Sequence, residues 1–186
     1  VRESLIKIAK TCMQSKLVSE DSVPLSKLVV EAILKIVEID GDKHSADLDN
    51  LKVEKKAGGS IDDTSLINGI VLDKEIVHSG MPTKIEKARI ALVNAALEVE
   101  KTEMSAEIRI SDPTQMQQFL EEENKMLKSM VDKIHSIGAN VLICQKGIDD
   151  IAQHYLSKHG ILSVRRVKES DMTKLAKATS GRISTN

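Results

Sequence analysis

Asp40, Asp42 and His44 stand two residues apart, the spacing with which an oxygen-rich calcium loop begins. Such a loop needs a glycine for its sharp turn and a bidentate carboxylate at its end. Ser45 and Leu51 occupy those positions, so the run reads as a solvated turn. His154 and His159 are five residues apart, which puts them on different faces of a helix and argues against a shared zinc. No H-E-x-x-H occurs. Ser79 and Ser180 each lie beside a glycine, but neither has the G-x-S-x-G frame of a nucleophile elbow. Asp62-Asp63 and Asp149-Asp150 are adjacent carboxylates; the second pair falls in a first helical turn, where the helix dipole favours negative charge. Neither G-x-G-x-x-G nor G-x-x-x-x-G-K-[ST] is present, and Gly58-Gly59 reads as a domain hinge. Nothing in this set makes the chain look like a self-sufficient enzyme.

Composition narrows the class. A chain of 186 residues holds one large domain or two small ones. With 41% apolar and 30% charged residues it has the balance of a soluble globular protein. A formal net charge of −1 argues against a non-specific nucleic-acid binder, and with Phe119 and Tyr155 as the only aromatics there is no stacking platform for single strands. No apolar run approaches the roughly 20 residues that span a bilayer, so no membrane is expected. The first ten residues read as an amphipathic helix, without a signal peptide's apolar core. Cys12 and Cys144 both sit in apolar patterns and are expected to be buried, reduced thiols of a cytoplasmic protein.

The elements that would position any site follow from periodicity. Leu5, Ile8, Ala9, Cys12 and Met13 predict a helix over residues 3–14. A second helix follows Pro24, with Leu25, Leu28, Val29, Ala32, Ile33, Ile36 and Val37 as its stripe and Ser22 or Asp21 as its cap. Residues 40–50 are expected to be turn-rich, and 51–55 to form a half-exposed strand. Composition shifts at residues 56–60, where a domain boundary is expected. Strands are then expected at 69–73 and 90–98, the alanines of the second leaving a helix open. Asp112-Pro113-Thr114-Gln115 is a helix start, with N-cap, proline at N1 and glutamine at N3. The helix runs about 25 residues, a rod of about 37 Å, until Gly138 stops it. Glu121, Glu122, Glu123, Asn124 and Lys125 interrupt its apolar stripe, leaving Met116, Phe119 and Leu120 beyond the gap. Residues 141–144 read as a strand covered on both faces, 148–158 as a helix between Gly147 and Gly160, 161–167 as a second strand and 171–178 as a last helix.

Three blocks of the chain resemble group II chaperonins, the thermosome of archaea and its eukaryotic cytosolic relative. They read KKAGGSIDDTSLINGIVLDKEIVHSGMP, KIEKARIALVNAALEVEKTEMSAEIRISDPTQMQQFLEEENKM and NVLICQKGIDDIAQHYLSKHGILSVRRVKESDM. The resemblance implies an α/β fold: residues 1–56 as the first part of an α+β intermediate domain, and 57–186 as a C-terminally truncated apical domain. That domain would be a swivelling β/β/α fold with a long helical protrusion serving as built-in lid. It further implies that the nucleotide loop and a catalytic aspartate lie outside this chain, with ATP and magnesium expected only in the longer parent. Lys16 aligns with a lysine that senses the γ-phosphate, although Gln14-Ser15 departs from the usual Thr-Gly; an ordinary surface lysine is the alternative. Implied partners are unfolded or partly folded polypeptides and other subunits of a double ring.

Two surfaces are candidates for gripping such clients. One is Met116, Phe119 and Leu120, where flexible methionine suits a surface accepting many sequences; packing against the domain itself is the alternative. The other is Ile151, His154, Tyr155 and Lys158 on one helical face, with Ile148, Ala152 and Leu156 turned to the sheet. A passive docking module would use the long helix equally well. A small-molecule enzyme rests only on the βαβ unit, which is fold-level analogy.

Overall fold

The computed structural model describes residues 1–99 and 113–185, which form two compact units, Val1–Val71 and Leu72–Asn186. The stretch 56–60 therefore lies inside the first unit.

In the first unit α1 (Arg2–Gln14) packs on α2 (Ser22–Ile36). Asp21 is the N-cap of α2 by position, without a side-chain hydrogen bond, and Pro24 sits in the first turn, where no amide is needed. Val30 and Ala32 of α2 are buried, whereas α1 buries no residue. Ile8 is exposed and so is Cys12, correcting the expectation of two buried thiols. The surface Arg2–Glu31 ion pair and the hydrogen bond from Lys35 Nζ to Asn68 Oδ1 add polar ties.

Residues 40–50 are more ordered than a turn. β1 (Val37–Asp40) and β2 (Lys43–Ala46) form an antiparallel hairpin, with Asp40 opposite Lys43 and Gly41 turning at φ +59. Their side chains are almost all exposed, so no alternation marked them. A 3-10 turn at Leu48–Asn50 follows, capped by Asp47, whose carboxylate accepts from the Asp49 amide at 3.0 Å. The strand expected at 51–55 is absent: alternation needs a neighbouring edge, and this run has none in the sheets described.

The second unit is built on a four-stranded parallel sheet in the order β5-β4-β3-β6. β3 (Ile90–Val93) pairs with β4 (Val141–Cys144), with Ile90 opposite Val141 and Val93 opposite Cys144. All four residues of β4 are buried, as its continuous apolar run requires between two neighbours. β3 is shorter than the expected 90–98 and is no helix; a single bridge between Leu97 and Ile148 prolongs its ladder. No strand forms at 69–73. The chain reaches the β5 side further on, where the Val77 amide donates to the Ser163 carbonyl at 3.1 Å.

Three helices connect the strands. α3 (Pro113–Ser136) links β3 to β4 and ends before Gly138, which holds φ +73. Its expected N-cap, Asp112, lies outside the described residues. α4 (Asp150–Lys158) links β4 to β5 (Leu162–Val164); the Asp149 carboxylate caps it, accepting from the Ile151 amide at 2.8 Å. Gly160 ends it at φ +67, as its amide donates to the Ser157 carbonyl. α5 (Glu169–Thr179) buries Met172 and Leu175, and β6 (Ile183–Ser184) lies beside β3, a pairing the sequence reading missed. One core joins sheet and helices: Met81, Leu97, Leu127, Val131, Leu142, Cys144, Ile148, Ala152, Leu156 and Ile161.

Candidate functional site

Helix α3 changes character along its length. From Leu127 onward its stripe is fastened to the core: Leu127 and Val131 are buried, and Met130 and Ile134 pack partly against the same cluster. Toward the other end residues 116–122 are all exposed. Met116, Phe119 and Leu120, spaced i, i+3, i+4 and so sharing one face, are 51%, 43% and 48% exposed. About half of each of these large apolar side chains is open to solvent. At 1.5 Å per residue, Phe119 stands about 24 Å along the helix from His135. His135 stacks on His159 at the end of α4, ring centroids 4.4 Å apart, so the free end of α3 is well removed from that junction.

Charge follows the apolar tip. Lys125 Nζ donates to Glu122 Oε1 at 2.8 Å, and this bond and the Glu122 charge raise the lysine's pKa, with Glu121 adding to it. Glu123 and Asn124 are half-buried.

On α4, Ala152 and Leu156 are buried, as is Ile148 just before the helix. Gln153 is buried as well; its Nε2 donates to the Ile148 carbonyl at 2.8 Å and to Asp150 Oδ1 at 3.0 Å. Ile151, His154 and Lys158 are exposed along one face. Tyr155 shares that face by spacing but is half-buried and packs on the core, which narrows the available surface. His154 lies edge-on to His78, centroids 6.4 Å apart, while His159 belongs with His135 and, at 3.5 Å, with Asp132. His154 and His159 thus serve separate surroundings.

Lys16 is exposed in the turn between α1 and α2, in the first unit. Among the described residues no group of three or more His, Cys, Asp or Glu side chains is placed to hold a metal, and no helix is long and apolar enough to cross a membrane. Sequence reasoning missed the histidine stack, which no local signal announces because its partners come from two helices. It also passed over Glu123 as one of three similar glutamates, although its spacing from Phe119 was there to be read.

A parallel sheet flanked by helices thus carries a long helix that exposes an apolar face at residues 116–120. The chain belongs to the TCP-1/cpn60 chaperonin family, whose model matches residues 1–186. It is 59% identical over 184 residues to the thermosome subunit of Pyrococcus abyssi, covering 99% of this chain and 34% of that protein. It is likewise 59% identical over 182 residues to thermosome subunit beta of Saccharolobus shibatae, covering 98% of this chain and 33% of that one. Among solved structures, the open-state monomer of a group II chaperonin from Methanococcoides burtonii is similar over the whole chain, with a TM-score of 0.76 and 40% identity, across 40% of that monomer. The resemblance to group II chaperonins and the mixed α/β fold expected from it are borne out. The chain spans about a third of the length of the curated relatives it matches.

Proposed function

We propose that this chain is the client-binding and lid-forming region of an ATP-dependent protein-folding chaperonin. Residues 1–56 are assigned to the intermediate domain and 57–186 to the apical domain with α3 as its helical protrusion. The observation that carries the reading is the exposure of Met116, Phe119 and Leu120 on a helix whose other half is fixed in the core. An apolar face on a rigid arm can cover the apolar segments that an unfolded chain exposes, and methionine adapts to many of them. Ile151, His154 and Lys158 offer a second, mixed contact surface, with Tyr155 contributing only its accessible edge.

Nucleotide binding and hydrolysis, with ATP and magnesium, are assigned to portions of the subunit beyond this chain, since neither phosphate-loop fingerprint occurs in it. In the whole subunit Lys16 would sense the nucleotide; an ordinary surface lysine remains the competing assignment. The setting is a double ring of such subunits in the cytoplasm.

The test is the double variant Met116→Ser with Phe119→Ser, assayed for suppressing aggregation of several unrelated denatured proteins. Weaker holding of the whole panel is expected. Undiminished suppression overturns the reading, and a wild-type chain that holds a single member of the panel identifies a passive docking module instead.

A further inference from the structure

The apolar stripe of α3 is broken by one carboxylate that lies on the stripe itself. At 3.6 residues per turn, Glu123 follows Phe119 by four residues and Leu120 by three, and precedes Leu127 by four. It therefore sits between the exposed apolar tip and the first buried anchor, about 5–6 Å from its neighbours on that face. Glu122 is matched by Lys125 at 2.8 Å. Glu121 points to the far side of the helix by spacing. Glu123, half-buried, has no ion-pair or hydrogen-bond partner among the described residues.

A carboxylate held beside apolar side chains gives the surface directionality that Met116, Phe119 and Leu120 alone lack. An extended client rises about 3.3 Å per residue, so a basic group two residues from an apolar anchor reaches the 5–6 Å between Phe119 and Glu123. Contact with the tip also shields Glu123 from water and salt, which strengthens any pairing there. We infer that Glu123 makes the tip of α3 selective for polypeptide segments in which a lysine or arginine lies about two residues from an apolar anchor. This rests on the client-binding reading and names the class of client segment it favours.

The probes are three fluorescein-labelled unstructured peptides, each with the same leucine anchors in a serine-glycine background. They carry lysine, serine or glutamate two residues from an anchor. Binding to the wild-type chain is followed by anisotropy. In low salt the lysine peptide should bind about two- to fivefold tighter than the serine peptide, the range of a partly exposed ion pair. The advantage should shrink at about 1 M salt, where the screening length falls to about 3 Å. Glu123→Gln, an isostere compatible with the helix, should remove the preference while leaving serine-peptide binding intact, and Glu123→Lys should transfer it to the glutamate peptide. Equal binding of all three peptides by the wild type overturns this inference alone, as does a lysine preference that survives in Glu123→Gln. Failure of every peptide to bind the wild type removes the client-binding reading and this inference with it.

Discussion

Asn140 and Arg89 are joined in both directions at the start of the central strand pair: the Arg89 amide donates to Asn140 Oδ1 at 2.6 Å, and the Asn140 amide donates to the Arg89 carbonyl at 3.1 Å. The Asn140 side chain continues the clamp, its Nδ2 donating to the Lys87 carbonyl at 2.8 Å. One residue later Ile90 stands opposite Val141. The asparagine thus sets the register in which β3 and β4 meet.

Asn140→Ala should destabilise the chain by about 1–2 kcal/mol, since both side-chain bonds are lost and two backbone groups are left to find water. Asn140→Asp should be no better: it keeps the acceptor for Arg89 but turns an oxygen toward the Lys87 carbonyl. Urea denaturation followed by circular dichroism reads both. A midpoint unchanged in Asn140→Ala would show that the clamp carries no stability.

The two halves of α3 should respond oppositely to truncation. Leu127→Ala removes a side chain that is 1% exposed and should cost about 2–5 kcal/mol. Phe119→Ala removes a larger one that is 43% exposed, and should change stability by less than about 0.5 kcal/mol while weakening client holding. Comparable losses of stability in the two variants would mean that the tip is packed.

Two glycines separate backbone strain from crowding. Gly160→Ala should cost about 1 kcal/mol because φ is +67, although nothing lies within 4 Å of the added carbon. Gly147→Ala crowds Glu98 Oε1, but that atom ends a flexible exposed side chain, which can swing aside. Its cost should be the smaller, as thermal unfolding of the two variants side by side will tell.

The two thiols should differ in reactivity and in pH response. Cys12 is exposed and should be alkylated in the folded chain; Cys144 is fully buried and should react only on unfolding. Burial raises the Cys144 pKa, and the Glu98 charge adds to it, against the lowering influence of Lys146. The folded chain therefore keeps this proton to higher pH than the unfolded one. The resulting stability is complete below about 8.5, where free thiols are protonated, and is lost as pH rises above it. Urea midpoints measured across that range should fall more steeply for the wild type than for Cys144→Ala; parallel curves would refute the assignment.

What could be read from the chain alone was whatever local chemistry imposes. The apolar run at 141–144 had to be a covered strand, a helix had to lie between Gly147 and Gly160, although Asp149 as its cap came only with the structure, and Gly138 had to end the long one. The acidic run 121–123 set Met116, Phe119 and Leu120 apart from the rest of the stripe, but packing of that cluster against the domain stayed open until their exposure was seen. Three family blocks supplied the fold class.

Tertiary structure decided the rest. The hairpin Val37–Ala46 exists through backbone pairing that exposed side chains do not signal, whereas the alternation at 51–55 has no neighbouring edge and forms no strand. β6 takes its place beside β3 only because α5 carries the chain back to that edge. Tyr155 turned out half-buried since the core reaches it from the sheet side. Periodicity records which side of an element is apolar; it does not record what lies opposite. Asn140 reaching Arg89 across 51 residues, and His135 meeting His159, are contacts that only the closed chain can create.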